Sequence, residues 1–308
     1  MVEIFIRTLP FFAIIGLGFW AGHTRFFTAE ATAYLTKFVF FFALSAMLFR
    51  FAANLSLAEI WDGRLVAGYL WGTAFAYGLG LLVAFLRRLD APTATVEAQC
   101  VAIGNVGFLG IPMLSRLFGE QALAPIMLVL ATDLIVFSSL IVILINGGRD
   151  GRVRLATLRL IGLGLVKNPM IVAITAGLLW SAFEIPISAP LNDFLSILGG
   201  AATPGALFAI GASLAGRSAE RIEVAGWLAF GKLVIHPALV AVGVLVLFPL
   251  DPYAAAVVIA SAALPVAGNV YMLAQHYGIA PHRVSTAILI STAASILTVP
   301  PIIAWVSP

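Results

Sequence analysis

The chain has 308 residues, 62% of them hydrophobic and only 10% charged, with 17 Lys and Arg against 14 Asp and Glu and a mean hydropathy of +1.08. That composition excludes a soluble globular protein and places the chain in the membrane class. Cys100 is the single cysteine, which rules out an intrachain disulfide and Cys-rich metal centres; His23, His236, His276 and His282 show no zinc-like spacing, so neither a metal site nor a cofactor is expected.

At roughly 20 apolar residues per crossing, the expected spans are 3–21, 31–53, 64–86, 94–117, 122–146, 169–184, 190–214, 222–248, 253–276 and 282–306. The first opens on a charged stretch from Glu3 to Arg7. No small-x-small cleavage site leads from it into a soluble domain, so it reads as a spanning helix. Gly18 with Gly22, and Gly68 with Gly72 in segment 3, have the spacing that lets helices approach closely. Gly16-Leu17-Gly18-Phe19-Trp20-Ala21 matches a loose dinucleotide fingerprint by accident, because no strand precedes it. Glu97, three residues into segment 4, reads as interfacial.

Segment 4 then carries Gly104-Asn105-Val106-Gly107-Phe108-Leu109-Gly110-Ile111-Pro112, with three glycines, an amide and a proline at membrane depth. A helix in hydrocarbon must satisfy its own backbone, so such a run leaves N–H and C=O groups for protein, water or a ligand to meet. Asp133 lies eleven residues into segment 5, near mid-bilayer, where an acid is a functional candidate by default. It is a candidate proton or cation coupler, with a structural acid bonded to neighbours such as Thr132 as the alternative.

After segment 5 comes the Gly-rich run Asn146 to Arg152, a connector too short for a domain. Val153 to Lys167 mixes Arg154 and Arg159 with apolar residues. Two readings stay open there: an interfacial amphipathic helix, or a cytoplasmic extension of segment 6. In segment 8, Lys232 and His236 are four apart and share a helix face, with Pro237 following. Lys232 is placed to attract an anion, to pair with Asp133, or to snorkel to the cytoplasmic surface. Segment 9 repeats the interruption of segment 4 as Ala263-Leu264-Pro265-Val266-Ala267-Gly268-Asn269-Val270-Tyr271.

Shifting the sequence by 159 residues lays Leu48-Phe49 on Leu207-Phe208, Gly72 on Gly231, Met113-Leu114 on Met272-Leu273 and Gly119 on Gly278. Each half then has five crossings and, five being odd, the second enters from the opposite side: an all-α membrane protein built as a 5+5 inverted repeat, with broken helices in segments 4 and 9 that cross. The organisation is 1–146 for the first repeat, 147–168 for the connector and 169–308 for the second repeat. Lys and Arg divide unevenly between the two faces. One collects Arg25, Lys37, Arg87, Arg88, Arg149, Arg152, Arg154, Arg159, Lys167, Arg217, Arg221 and Arg283, the other only Arg7, Arg50, Arg64 and Arg116. The first face is therefore expected to be cytoplasmic, with both termini external, in a multi-pass protein of the cell inner (plasma) membrane. Basic residues used in this way are topology signals, and no nucleic-acid partner is implied.

Matched interruptions in two spans point to a transporter site at their crossing, where helix N-termini receive anions and carbonyl ends receive cations. No Walker loop, G-x-S-x-G elbow or H-E-x-x-H pair is present, which removes ATP-driven pumping and common hydrolase chemistry. Transport energy must come from a gradient, with H+ or Na+ as the possible coupling ion.

Gly-Phe-Leu-Gly-Ile-Pro at 107–112 and Leu-Pro-Val-Ala-Gly-Asn-Val-Tyr-Met-Leu-Ala at 264–274, followed by Tyr277-Gly278, resemble the auxin efflux carrier family, particularly its bacterial malonate-type members. The resemblance extends over the whole chain. It implies a fold like that of the bile acid/sodium symporters, with segments 1, 2, 6 and 7 as scaffold and 3–5 with 8–10 as transport core. An elevator-type movement and a homodimer are implied too, as is a substrate site lined by Asn105, Asn269 and the residues flanking Pro112 and Pro265. The expected function is secondary transport of a small organic anion, a mono- or dicarboxylate, with Asn105, Gly107, Gly110, Pro112, Pro265, Gly268, Asn269 and Tyr271 at the site and Asp133, Lys232 and His236 as charge or coupling candidates. A cation–proton exchanger is the alternative, ahead of a non-transporting receptor or an intramembrane enzyme.

Overall fold

The computed structural model describes residues 2–54, 61–150, 155–216 and 221–307. Residues 151–154 of the connector, including Arg152 and Arg154, lie outside the described residues, as does Arg217. Among the described residues the regular structure is helical. In chain order it comprises α1 (Val2–His23), α2 (Ala29–Ala53), α3 (Gly63–Leu86), α4 (Ala91–Ala102), α5 (Val106–Phe118) and α6 (Glu120–Gly148). The second half comprises α7 (Leu155–Lys167), α8 (Pro169–Ala182), α9 (Ala189–Ala215) and α10 (Ile222–Leu247), α11 (Pro252–Ala262), α12 (Gly268–Tyr277) and α13 (Pro281–Val306).

Seven of these helices are long and apolar enough to cross a membrane, or eight if α7 and α8 form one span bent by 66°. That bend bears on the stretch before segment 6. With Leu158, Leu160, Leu163 and Val166 exposed on α7, it departs steeply from the axis of α8 and is not a straight extension of it. Where segments 4 and 9 were expected, the chain forms two short helices each, α4 with α5 and α11 with α12. At 1.5 Å per residue, the 12 residues of α4 and 11 of α11 rise only about 16–18 Å, roughly half the hydrocarbon thickness.

Local chemistry sets the helix starts. Asp62 accepts from the N–H groups of Arg64 and Leu65, Asn168 from Met170 and Ile171, and Asp251 from Ala254, each satisfying first-turn donors that have no intrahelical partner. Several helices carry wide turns in which a carbonyl accepts from the residue five on. The turns at Val106–Gly110 and Gly231–Ile235 come just before Pro112 and Pro237, whose rings cannot donate to the regular ladder. A third spans Asp133–Phe137.

Close packing depends on the paired glycines. A Cβ at Gly18 would lie 2.1 Å from the Phe208 carbonyl oxygen and one at Gly22 2.8 Å from that of Ala212, so α1 and α9 meet backbone to backbone. Likewise a Cβ at Gly72 would lie 2.6 Å from the Val240 backbone, and one at Gly243 2.4 Å from the Gly68 carbonyl oxygen, which joins α3 to α10. Closely packed pairs are α1 with α9, α2 with α8, α3 with α4 and with α10, and α10 with α13.

Candidate functional site

The two broken segments meet. α4 ends at Ala102, Ile103 is extended, and Gly104 forms an isolated antiparallel bridge with Val266. Asn105 N–H donates to the Pro265 carbonyl at 2.8 Å and Ala267 N–H to that of Ile103 at 3.1 Å, while Val266 N–H donates to Ser291 Oγ at 3.1 Å. Each break thus supplies hydrogen bonds that the other has lost, which is how irregular backbone survives at this depth. Pro265 has no N–H to continue α11, but its carbonyl is used. A Cβ at Gly104 would stand 3.2 Å from Lys232 Nζ and 3.3 Å from the Ser261 carbonyl oxygen, so a side chain here requires one of these neighbours to give by a few tenths of an ångström.

The half-helices that leave the crossing start differently. Asn105 is buried and its Oδ1 accepts from Phe108 N–H at 3.3 Å, capping α5. α12 starts at Gly268 with no side-chain cap. Gly268 is exposed, and a Cβ there would meet nothing within 4 Å. Asn269 is partly exposed, yet its Oδ1 is buried and has no hydrogen-bond partner among the described residues. The exposed face of α12 continues through Met272 to Gln275 and His276.

The other predicted residues occupy distinct positions. Gly107 and Gly110 serve packing: a Cβ at either would meet Met170 Cε at 2.8 Å or Leu264 Cδ1 at 2.6 Å. Pro112 is buried within α5. Tyr271 packs, partly buried, against the apolar cluster that includes Val266 and Val270.

Behind the crossing lie the charges. Lys232 is fully buried, and the snorkelling alternative does not hold. Its Nζ donates to the Ala262 carbonyl at 2.5 Å and contacts His236 Nδ1 at 2.9 Å. His236 Nε2 lies 3.0 Å from Thr73 Oγ1. An ammonium has no lone pair, so Nδ1 must accept, the ring proton sits on Nε2, and Thr73 receives it. Thr73 is one helical turn from Tyr69, on the same face of α3; Tyr69 donates to Asp133 Oδ1 at 2.8 Å. Asp133 Oδ2 is buried without a partner among the described residues. Lys232 and Asp133 therefore do not touch as an ion pair: His236, Thr73 and Tyr69 lie between them. Thr132 donates to the Leu128 carbonyl instead of serving Asp133.

Two features escaped the sequence reading. Tyr69 and Thr73 were unmarked, although two hydroxyls four apart in an apolar span form a polar face and were a usable signal. Glu97 is buried within the protein and doubly paired: Arg87 reaches it at 2.7 Å, and Arg283 binds its other oxygen. Outside the crossing, an apolar groove of about 690 Å³ runs between α10, α11 and α13, lined by residues including Pro237, Leu297, Pro301 and Trp305. No group of His, Cys, Asp or Glu suited to a metal ion occurs among the described residues.

Over residues 3–303 the chain matches the family described as membrane transport protein. The chain belongs to this family. The resemblance to auxin efflux carriers carried by 107–112 and 264–274 is thus borne out, and both motifs fall on the crossing. A protein of Rhizobium meliloti (strain 1021), named "Putative malonate transporter", is 30% identical over 307 residues, covering 97% of this chain and 94% of that protein. These matches identify a multi-pass membrane transport protein acting on a small molecule, not an enzyme.

Proposed function

We propose that this membrane transport protein is a secondary carrier of a small organic anion, a mono- or dicarboxylate of malonate-like size, which binds where the two broken segments cross. The observation that carries this reading is the bare start of α12. Its first N–H groups have no side-chain cap, and open space stands at Gly268. Helix N-termini of this kind bind carboxylates through N–H donors and the positive end of the helix dipole. Asn269 adds an amide beside them. The Rhizobium relative's name points to the same substrate class.

In this reading α4–α5 and α11–α12 each count as one crossing, the chain crosses the inner membrane ten times as two inverted halves, and both termini are external. The transport core, α3–α6 with α10–α13, moves against a scaffold of α1, α2, α8 and α9 in elevator fashion. Hydrogen bonds support this partition. Arg50 donates to Asn192 inside the scaffold, while the Tyr69–Asp133, Thr73–His236, Lys232–Ala262 and Asn105–Pro265 contacts lie inside the core. Contacts at the boundary include the apolar Phe40 ring stacked on Phe108 at 6.0 Å and Met170 over Gly107. Apolar contacts of this kind can slide without leaving a buried polar group unpaired.

Asp133 couples the movement to a proton. It is buried, with one oxygen bonded to Tyr69 and the other open. Reconstitution in liposomes with labelled carboxylates, with and without a pH gradient, tests the whole reading; absence of uptake for every mono- and dicarboxylate refutes it. Asp133→Asn is expected to abolish gradient-driven accumulation while sparing equilibrium exchange, and full accumulation by that variant removes the coupling role.

A further inference from the structure

α11 ends inside the protein, and the last carbonyls of a half-helix carry partial negative charge with no intrahelical donors to meet them. In carriers built on broken helices, such carbonyl ends are places for a coupling cation. Here a side chain of the protein takes that place. Lys232 Nζ donates to the Ala262 carbonyl at 2.5 Å. A Cβ at Gly104 would stand 3.2 Å from Nζ and 3.3 Å from the Ser261 carbonyl oxygen. The ammonium therefore sits between the end of α11 and the first break, and the side chain is fully buried.

We infer that Lys232 is a tethered cation filling the seat of a coupling alkali ion at the carbonyl end of α11, so that this protein works without sodium. One ammonium supplies the single positive charge of a bound sodium and meets a carbonyl lone pair by an N–H hydrogen bond where the metal would by coordination, and a second cation in the same space would be repelled. Groups facing Lys232 fit this role. His236 on α10 accepts from it, Thr73 on α3 follows His236, and Tyr69, one turn away on α3, bonds to Asp133 on α6. The inference rests on the carrier reading for its link to coupling, but the seat itself can be tested without transport.

The test is thermal unfolding of the purified full-length protein, followed by tryptophan fluorescence in sodium, lithium or choline chloride at equal ionic strength. The wild-type protein is expected to melt at the same temperature in all three. Lys232→Ala is expected to melt several degrees lower in choline and to recover in sodium or lithium along a saturable curve, because the vacated Ala262 carbonyl then takes the metal. Saturable sodium stabilisation of the wild type overturns the inference. So does a Lys232→Ala protein that melts lower with no rescue by either cation, since the lysine is then a structural brace alone. Lys232→Gln, which keeps an amide donor and most of the volume, undergoes the same measurement if the alanine variant does not fold, and the wild-type arm stands without any variant. If no carboxylate is transported while the sodium response is as stated, the carrier reading fails and the tethered cation stands.

Discussion

The first break is closed and the second is open. In the first, Asn105 spends its side-chain oxygen on the α5 N-terminus and is itself buried, Gly104 is wedged beside Lys232 and Ser261, and Gly107 lies under Met170. In the second, the start of α12 has no side-chain cap, Gly268 is exposed and Asn269 Oδ1 has no partner among the described residues. The same Gly-Asn-Val triplet thus does two jobs. One copy completes the backbone and holds the crossing together, whereas the other leaves a helix start without a side-chain cap.

Substitutions can break that distinction. Gly104→Val has the largest expected effect. Added carbons must displace the ammonium of Lys232 or the Ser261 carbonyl, and disturbing a buried charged contact costs on the order of 3 kcal/mol, read as a lower unfolding temperature and a poor yield of monodisperse protein. Gly268→Ala should do the opposite. Its Cβ meets nothing, so stability is expected to hold, while a methyl over the helix start weakens carboxylate binding about tenfold, near 1.4 kcal/mol, measured as the substrate concentration for half-maximal uptake. Equal damage from both substitutions to stability would erase the comparison. Asn105→Ala is expected to lower stability by about 1 kcal/mol through the lost cap, seen in denaturant unfolding. Gly107→Ala should shift stability by no more than about 0.5 kcal/mol, because the atom in the way is the mobile end of Met170; a larger loss in the same denaturant measurement would show a more rigid boundary there.

How much of this was legible from residues alone depended on distance along the chain. The breaks were visible because Gly, Asn and Pro act on their own backbone, and the Lys232–His236 face was visible because both lie on one helix. Tyr69 and Thr73 gained meaning only when α3 packed against α6 and α10. The pairing of Glu97 was not legible, because Arg87 lies on the preceding turn but Arg283 comes from near the start of α13, far along the chain. The sixth span was recognised, but the 66° bend before it follows from Asn168 capping a new helix, with Pro169 supplying no N–H of its own.

The Glu97 triad has a consequence for how the protein is made. Its first arginine lies 10 residues away and its second 186, so during synthesis the acid enters the bilayer long before Arg283 exists. Until the last helix inserts, one carboxylate oxygen must borrow its partner from water or lipid headgroups. Docking of α13 is therefore the event that completes the ionic contact of α4, and chains cut short before Arg283 would expose that unfinished contact to cellular quality control.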